Sequence, residues 1–453
     1  MGKLFGTDGI RGIVGETLTA DMAYRVGQAV ATVLAEEKQS QPEITIGKDT
    51  RISSDMLESA LIAGICSVGG NVVPLGVIPT PAVAFLTVQR GADAGIVISA
   101  SHNPYEHNGI KVFNSQGYKL PDETEARIEA LILGDAPIAE KTGSAIGTMI
   151  RGLKEAREDY IEHLLSTIEE DLAGLRICVD CANGAASATA PELFSHFPKA
   201  RVDIMHAVPN GVNINNHCGS THLASLAEIV VNDGYDIGVA YDGDADRCLL
   251  VDEKGQVIDG DKIMAVCATD LRARGKLDGN AIVATVMSNL GLHEFCGKEK
   301  IHLVCTDVGD RHVLEKMLEC GYRLGGEQSG HMIYSEYATT GDGQLTSLQF
   351  LQILCRSGKK ASELTACCAQ YPQVLINVPV SPQRGVKEQI MASEELLAAV
   401  KAEEERLGED GRILLRPSGT EALIRVMVEA KTEEMANEYA ESLVKVVKSL
   451  KIS

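Results

Sequence analysis

The sequence predicts an α/β protein in which helices pack over mixed or parallel sheets. Short apolar segments rich in β-branched residues alternate along the chain with longer segments of helical periodicity, and this alternation is typical of βα units. The 453 residues suffice for three or four domains at roughly 100–200 residues each. The clearest strand, 95–98, ends in a polar turn closed by Asn103-Pro104. Ligands of open α/β sheets bind beyond the carboxyl ends of strands, so this turn is the first candidate site.

The composition restricts the classes of partner that the protein can have. Hydrophobic residues make up 45% of the chain, which is typical of a globular protein with real cores. The formal net charge is −21, so we expect neither nucleic acid nor an anionic membrane as a partner. A phosphorylated substrate would be repelled as well, and binding one would require cations gathered at the site.

Neither the cysteines nor the apolar segments indicate secretion or membrane insertion. The twelve cysteines lack the paired spacing of a zinc site, so we interpret them as reduced, small apolar residues. The N-terminus has no apolar signal core. The uncharged segment Ser59–Gln89 is long enough to span a bilayer, but its prolines and Gly69-Gly70 favour a buried βα unit. We therefore expect a cytoplasmic protein with no membrane association.

The first 150 residues carry the serine-containing turn and four candidate cations, of which Lys48 and Arg51 follow the end of a predicted strand. A glycine-rich opening ends at Arg11, whose guanidinium suits phosphate geometry. Lys111 follows Ser101 by ten residues, after a turn that could fold back on the serine. The predicted elements before and after that turn are helix 20–37, strand 44–46, helix 54–68, and a helix followed by a Gly/Thr-rich linker in 121–150.

The remaining residues repeat the βα pattern. A long polar loop, Asn210–Ser220, is of a length that is usually functional or disordered in a compact domain. The predicted elements are helix 153–169, strands 176–180, 236–240 and 248–252, strands near 282–286 and 302–304, strand 374–378, helix 386–407, strands 412–415 and 423–429, and helix 433–449.

Three alternating carboxylates stand in a short loop between two predicted strands, Asp242, Asp244 and Asp246. At an effective dielectric constant of ~20, two unit charges about 4 Å apart repel by roughly 4 kcal/mol, so three converging carboxylates need a cation. Oxygen ligands select a hard ion, and open coordination positions favour Mg²⁺. An EF-hand calcium loop is disfavoured because Arg247 replaces its required glycine and a strand follows. A solvated acidic turn is the other alternative.

Ser101 and His102 allow two interpretations. A serine that accepts a phosphoryl group and faces the metal is favoured, but only together with the aspartate loop. The alternative is a Ser/His hydrolase; adjacent residues are not expected to face each other suitably, and the chain has no G-x-S-x-G elbow.

Two further loops are suited to polar ligands. Arg416-Pro-Ser-Gly-Thr-Glu421, with Arg425, resembles an anion nest with hydroxyls and two guanidiniums, although a plain turn is possible. Glu327, Ser329 and His331 in a glycine-rich loop are spaced to meet sugar hydroxyls or an amine. Alone, a histidine such as His331 is more often a structural or surface residue than a catalyst.

Together these segments closely resemble the α-D-phosphohexomutase superfamily. Four motifs of that family occur in order along nearly the whole chain. They are the phosphoserine loop (Ala100-Ser-His-Asn-Pro104), the metal loop (Asp242-Gly-Asp-Ala-Asp-Arg247), the sugar loop (Gly326-Glu-Gln-Ser-Gly-His331) and the phosphate loop (Arg416-Pro-Ser-Gly-Thr-Glu421). The opening Phe5–Gly12, Cys218–His222 and Thr340–Gly343 are most similar to members that act on glucosamine phosphates.

The resemblance implies an arrangement of four domains, heart-shaped around a central cleft. The first three would be related α/β domains with mixed sheets, and the last a smaller α+β domain. We expect their ranges to be 1–150, 151–255, 256–370 and 371–453.

The resemblance also implies roles for individual residues. Ser101 would be the phosphoserine and would complete the Mg²⁺ shell. The expected catalytic residues are Ser101, His102, Lys111 and Arg11, and the expected metal ligands are Ser101, Asp242, Asp244 and Asp246. Substrate would be bound by Arg247, Glu327, Ser329 and His331, and the phosphate that is not transferred by Arg416, Ser418, Gly419, Thr420 and Arg425.

The implied activity is that of an isomerase, an intramolecular phosphotransferase acting on a small sugar phosphate. It would interconvert glucosamine 6-phosphate and glucosamine 1-phosphate through glucosamine 1,6-bisphosphate, with Mg²⁺, for amino-sugar nucleotide and cell-wall (peptidoglycan) precursor synthesis. The alternatives are a member that acts on mannose or glucose phosphates and, more remotely, a non-catalytic sugar-phosphate-binding protein. We expect a monomer or a homodimer.

Overall fold

The structure is a computed structural model that describes residues 4–6, 8–38, 40–134, 138–150, 155–383, 385–418 and 421–450. Its described residues form two compact units, one from 1–287 and 301–367 and the other from 288–300 and 368–453. Within the described ranges, no helix is both long enough and apolar enough to cross a membrane.

The first sheet of the larger unit has the strand order β1-β5-β4-β2-β3. The β4 strand is fully buried and pairs in parallel with β2 but antiparallel with β5. Its strands are β1 (Ile10–Ile13), β2 (Glu43–Lys48), β3 (Asn71–Val77), β4 (Ala94–Ile98) and β5 (His107–Asn114). The helices of this region are α1 (Ala20–Lys38), α2 (Ser54–Ser67), α3 (Thr80–Arg90) and α4 (Asp122–Leu133).

The second sheet repeats this topology with the order β10-β9-β8-β6-β7. The fully buried β8 again pairs in parallel with one neighbour, β6, and antiparallel with the strand that follows it, β9. Its strands are β6 (Arg176–Asp180), β7 (Arg201–Met205), β8 (Ile237–Tyr241), β9 (Cys248–Asp252) and β10 (Val257–Ile258). The helices are α5 (Glu155–Ser166), α6 (Ala190–Ser195) and α7 (Ala224–Asp233).

The third sheet has the order β12-β11-β13-β14. It shares with the first two sheets three parallel strands followed by one antiparallel strand. The β11 strand is parallel to β12 and β13, and β13 is antiparallel to β14. Its strands are β11 (Ala281–Thr285), β12 (His302–Thr306), β13 (Leu324–Gly326) and β14 (Met332–Tyr334). The helices of this stretch are α8 (Gly260–Ala273), α9 (Leu290–Glu299, which belongs to the smaller unit), α10 (Asp310–Cys320), α11 (Gly343–Ser357) and α12 (Ala361–Thr365).

The smaller unit has an antiparallel sheet in the order β15-β17-β16. Its last helix buries one face at positions spaced by three and four residues, including Ala436, Tyr439, Ala440 and Leu443, as an amphipathic helix on a sheet does. The elements of the C-terminal segment are β15 (Gln373–Pro379), α13 (Val386–Met391), α14 (Glu394–Leu407), β16 (Gly411–Pro417), β17 (Leu423–Ala430) and α15 (Glu433–Ser449).

One predicted helix is wrong. The sequence predicts a single helix over 386–407, whereas the structure has α13 and α14 with a break between them. The Ser393 side chain accepts a hydrogen bond from Leu396 N and caps the start of α14. Serine is among the most favoured residues at this capping position because it satisfies a free N–H, so the local signal for a new helix outweighs the continuous apolar periodicity.

Candidate active site

In each of the three related sheets, a predicted functional loop joins the same two strands of the shared topology. The serine loop (99–106) joins β4 to β5, the acidic loop (242–247) joins β8 to β9, and the glycine-rich loop (327–331) joins β13 to β14. Each loop follows the carboxyl end of a strand that pairs in parallel with a neighbour. The repeated topology therefore presents three equivalent loops at equivalent sheet edges, which is where ligands of α/β sheets bind.

Glycines let these loops approach one another backbone to backbone. A Cβ atom at Gly243 would overlap the carbonyl oxygen of Ser101, and one at Gly330 would overlap that of Cys248. Gly330 also has a φ of +92°, a conformation that favours glycine. The close packing of the acidic loop against the serine loop, and of the glycine-rich loop against the start of β9, therefore depends on the absence of a side chain at these positions.

Ser101 is held by a buried network that fixes its backbone. Its φ is 52°, an uncommon value for a residue with a side chain. The Ser101 carbonyl accepts hydrogen bonds of 2.9 Å from Arg51 Nη2 and from Asn215 Nδ2. Arg51 is itself paired with the buried Asp49. These contacts stabilise the strained backbone that turns the serine side chain toward the acidic loop.

The Ser101 hydroxyl lies against the acidic loop. Its Oγ donates a 2.6 Å hydrogen bond to Asp242 Oδ2 and lies 3.3 Å from His102 Nδ1. The expectation that the adjacent serine and histidine would not face each other is wrong, because the left-handed backbone at Ser101 brings the two side chains together. Burial, with the nearby cations Arg247 and Arg11, lowers the pKa of His102 to about 4, so its imidazole is neutral near pH 7.

The three aspartates converge in the protein interior. One oxygen of each of Asp242, Asp244 and Asp246 lies within 4.8 Å of the others, and all three residues are buried. Burial, followed by repulsion from Asp246 and Asp244, raises the pKa of Asp242 well above its ordinary value. Among the described residues, Asp244 Oδ1 and Asp246 Oδ1 are buried without a hydrogen-bond partner. Such orphaned oxygens fit a hard divalent cation, which prefers oxygen ligands.

Lys111 offsets part of this negative charge. Its Nζ lies 3.0 Å from Asp244 Oδ2, 3.2 Å from Asp8 Oδ2 and 3.5 Å from Asp246 Oδ2. Although burial alone would lower it, these carboxylates raise the pKa of Lys111 above its ordinary value. The side chain is therefore a cation. Arg11 pairs with Asp8, which is the carboxylate that also contacts Lys111.

The glycine-rich loop presents polar side chains beside the acidic loop. Glu327 Oε1 accepts from Gly309 N at 3.2 Å, and His331 Nδ1 lies 3.6 Å from Asp246 Oδ2. Ser329 Oγ and Arg247 Nε are buried and have no hydrogen-bond partner within the described part of the chain. These unpaired donors and acceptors are typical of a site that completes its hydrogen bonds with a ligand.

The sequence interpretation missed a set of charged residues that supports this site. Lys119 Nζ lies 3.0 Å from Asp8 Oδ1 and 2.8 Å from Asp310 Oδ2, and Asp310 in turn lies 3.6 Å from His331 Nε2. The position of Asp310 just after β12 was the available signal, because it too follows the carboxyl end of a strand.

The smaller unit carries the two-arginine loop (416–425). Arg416 and Arg425 are direct partners in the β16–β17 ladder, and each has a buried Nε without a partner among the described residues. Burial and the neighbouring Arg425 lower the pKa of Arg416. Ser418 is buried, and its Oγ accepts from Glu421 N at 3.2 Å. Gly419 and Thr420 lie outside the described residues. Two adjacent guanidiniums with free donors fit an anion such as phosphate.

Comparison with known protein families decides which family the chain belongs to. Residues 2–138, 158–255 and 259–371 match phosphoglucomutase/phosphomannomutase alpha/beta/alpha domains I, II and III. Residues 375–446 match the C-terminal domain of the same family. The chain belongs to the phosphoglucomutase/phosphomannomutase family, within the α-D-phosphohexomutase superfamily. This result confirms the resemblance expected from the motifs and the fold class of three related α/β domains with a C-terminal domain.

Curated members of this phosphohexomutase family are similar along the whole chain. The phosphoglucosamine mutase of Acetivibrio thermocellus is 52% identical over 448 residues, and that of Clostridium tetani is 51% identical over 448 residues. Each alignment covers 99% of this chain and 99% of the relative.

Solved phosphohexomutases share the fold. A phosphoglucomutase/phosphomannomutase family protein from Burkholderia thailandensis has a TM-score of 0.80 at 23% identity, with 98% of this chain and 97% of that chain covered. An N-acetylphosphoglucosamine mutase from Aspergillus fumigatus, solved in complex with GlcNAc-6P and magnesium, has a TM-score of 0.71 at 20% identity, with 98% and 95% covered.

Proposed function

We propose that this phosphohexomutase interconverts glucosamine 6-phosphate and glucosamine 1-phosphate, and that Ser101 carries the phosphoryl group. The observation that carries the proposal is the position of the Ser101 hydroxyl, 2.6 Å from the Asp242 carboxylate in a buried acidic trio. The full-length similarity to curated phosphoglucosamine mutases supports the choice of substrate.

In the proposed reaction, phospho-Ser101 transfers its phosphoryl group to the 1-hydroxyl of glucosamine 6-phosphate. The P–O bond to Ser101 breaks and a P–O bond to the sugar forms, while the proton of the sugar hydroxyl passes through the site to the released Ser101 oxygen. The resulting 1,6-bisphosphate turns over and returns its 6-phosphoryl group to Ser101. The Ser101 proton passes to the released 6-oxygen, which leaves glucosamine 1-phosphate. Phosphoryl transfer depends mainly on positioning and on stabilisation of charge, and the loops around Ser101 supply both.

Asp242, Asp244 and Asp246 would hold Mg²⁺ together with an oxygen of the Ser101 phosphoryl group. When bound, the ion would neutralise charge on the phosphoryl oxygens. The solved relative named for GlcNAc-6P and magnesium supports this choice of ion. Lys111, whose raised pKa keeps it cationic, would stabilise charge there, together with Arg11, which shares the partner Asp8 with it. His102, neutral and 3.3 Å from Ser101 Oγ, is the candidate to hold the proton.

The other loops would bind the sugar phosphate. Glu327, Ser329 and His331, with Arg247, would contact the sugar, and their unpaired polar atoms support this role. Arg416, Ser418 and Arg425, with Gly419 and Thr420, would hold the phosphate that is not being transferred. We also propose functional domains at 1–150, 151–255, 256–370 and 371–453, each contributing one of the four loops.

The experiment measures phosphate on Ser101 and turnover together. Peptide mass spectrometry of active enzyme should find phosphate on Ser101, and Ser101→Ala should abolish activity with glucosamine 6-phosphate. Ser115→Ala, at an exposed serine, is the matched control and should remain active. The proposal would be wrong if Ser101→Ala kept full activity and the Ser101 peptide of the unaltered, active enzyme carried no phosphate.

A substrate panel tests the sugar. Glucosamine, mannose and glucose 6-phosphates are compared at equal Mg²⁺ concentration, and kcat/KM should be highest for glucosamine 6-phosphate. A preference for mannose or glucose 6-phosphate would retain the phosphoserine chemistry but replace the proposed substrate.

A further inference from the structure

A second group of potential metal ligands lies at the carboxyl edge of the second sheet, outside the acidic trio. Asp180 ends β6, His206 follows β7, and Cys218 lies in the long loop between β7 and α7. One ligand atom from each, a carboxylate oxygen, an imidazole nitrogen and a thiol sulfur, lies within 4.8 Å of the others. Asp180 precedes His206 by 26 positions, and His206 precedes Cys218 by 12. The fold therefore brings together residues that are distant in sequence.

The contacts of these three residues indicate a prepared ligand set. Asp180 Oδ1 accepts from Ala182 N at 2.8 Å and Oδ2 from Gly219 N at 2.9 Å, so the carboxylate is fixed by backbone donors. Asn183 Nδ2 lies 3.8 Å from Cys218 Sγ, where it can donate to the sulfur. Such outer contacts orient ligands in metal sites.

His206 completes the group. Its Nδ1 lies 3.1 Å from Asp180 Oδ2, so the imidazole faces the carboxylate. The His206 side chain is 31% exposed, whereas its Nδ1, Asp180 and Cys218 are buried.

We propose that Asp180, His206 and Cys218 form a zinc site, with water as the fourth ligand. Nitrogen and sulfur ligands with one carboxylate suit Zn²⁺, whereas the all-oxygen trio nearby suits Mg²⁺. The thiolate is the ligand, so the Cys218 thiol loses its proton to solvent as the ion binds. The site lies outside the proposed reaction, and its failure would leave the Ser101 chemistry intact.

The loop that contains Cys218 also contacts the serine loop. Asn215 Nδ2 donates to Ser101 O at 2.9 Å and to Asn103 O at 3.2 Å, and Gly211 O accepts from Ile52 N. A zinc ion that ties Cys218 to β6 and β7 would therefore fix the segment that carries Asn215. We expect bound zinc to restrain this loop, with its fourth position left to water.

The experiment uses Co²⁺ as a spectroscopic probe for Zn²⁺ in the metal-free, full-length protein. One equivalent of Co²⁺ should give a thiolate-to-cobalt absorption band, and one equivalent of Zn²⁺ should abolish it. Cys218→Ser should lose the band, and His206→Gln should weaken Zn²⁺ binding at least about tenfold. Cys305→Ser, at an exposed thiol, is the matched control and should keep the band.

Two further variants keep the outcome interpretable. Asp242→Asn should leave the cobalt band unchanged, because that residue belongs to the other cluster. His206→Gln, at a partly exposed position, tests the site if Cys218→Ser fails to fold. The proposal would be overturned by any of three results. These are no thiolate band in the unaltered protein, a band that survives in Cys218→Ser, and a band that is lost in Cys305→Ser.

Discussion

The acidic trio and the Asp180–His206–Cys218 group lie at the same edge of the second sheet, yet they offer different atoms. The trio presents carboxylate oxygens, two of them buried without a partner among the described residues. The second group presents one oxygen, one nitrogen and one sulfur. The two groups share one sheet edge, so their position does not distinguish them. Their ligand atoms do, because the first group suits a hard ion and the second a softer ion.

The surroundings of the two clusters differ as much as their ligands. The trio is approached by groups of other sheets, Ser101 and Lys111 of the first and His331 of the third. The second group is supported by its own sheet's loops, through Ala182 N and Gly219 N. A site assembled from several sheets can bind a reactant between them, whereas a site assembled within one sheet's loops stabilises those loops.

The largest expected effect comes from removing one charge of the trio. Asp242→Asn should lower activity about 10³-fold, or about 4 kcal/mol, because the cation that holds the phosphoryl group loses a charged ligand. The same change should raise the Tm of the metal-free, unphosphorylated protein at pH 8 by about 2 °C or more. Burial and the neighbouring carboxylates raise the pKa of Asp242, so its ionised form destabilises the folded state.

Activity assays with varied Mg²⁺ and thermal unfolding in a chelator measure both effects. Cys305→Ser, at an exposed thiol, is the control and should keep its response to Mg²⁺. An Asp242→Asn variant with full activity would contradict the assignment of the trio as a metal site.

The next largest effect tests the cation that balances the trio. Lys111→Met should reduce the free energy of unfolding by about 3–5 kcal/mol, because it leaves buried carboxylates without their charge partner. The Nζ atom of Lys111 lies within 3.5 Å of Asp8, Asp244 and Asp246. Denaturant unfolding measures the change. Lys199→Met removes an ion pair at the surface, with Asp171, and should be indistinguishable from the unaltered protein; equal effects of the two variants would contradict the prediction.

The smallest effect concerns a buried carboxylate outside both clusters. Asp342 caps α11 by accepting from Leu345 N and also accepts from Tyr160 Oη. Burial, despite these hydrogen bonds, raises its pKa to about 6. The folded state therefore binds this proton more tightly than the unfolded state, and the free energy of unfolding should fall as pH rises from about 4 to about 6.

Asp342→Asn should remove this part of the pH dependence. Asparagine caps helices as well as aspartate does, so above pH 6 the variant should be more stable than the unaltered protein by about 1–2 kcal/mol. Unfolding free energies at pH 4 and pH 7 measure the difference between the two proteins. A difference that does not change between these pH values would show that Asp342 keeps an ordinary pKa.

Much of the site could be predicted because each motif is local in sequence. The alternation of Asp242, Asp244 and Asp246 in one loop predicts convergence of carboxylates, and a polar turn after a buried strand predicts where Ser101 lies. The supporting residues could not be predicted in this way. Asn215 reaches Ser101 across 114 positions, and Lys119 reaches Asp310 across 191, and no short pattern encodes such pairs.

The cysteines show the same limit. Their spacing lacks the pairs of a zinc motif, so the sequence favours the interpretation of small apolar residues. The pairing of β6 with β7 brings Asp180 beside His206, and the hydrogen bond from Gly219 N to Asp180 holds the loop of Cys218 next to them.

By itself, the sequence determined the family, the α/β fold class and the four loops, because βα alternation and compact motifs are properties of neighbouring residues. The tertiary structure decided which loops meet, which charges are paired and which ligand atoms share a point. These outcomes depend on strand order and on close backbone contacts at glycines such as Gly243 and Gly330. Distances between residues far apart in the chain are set only when the sheets are formed and packed.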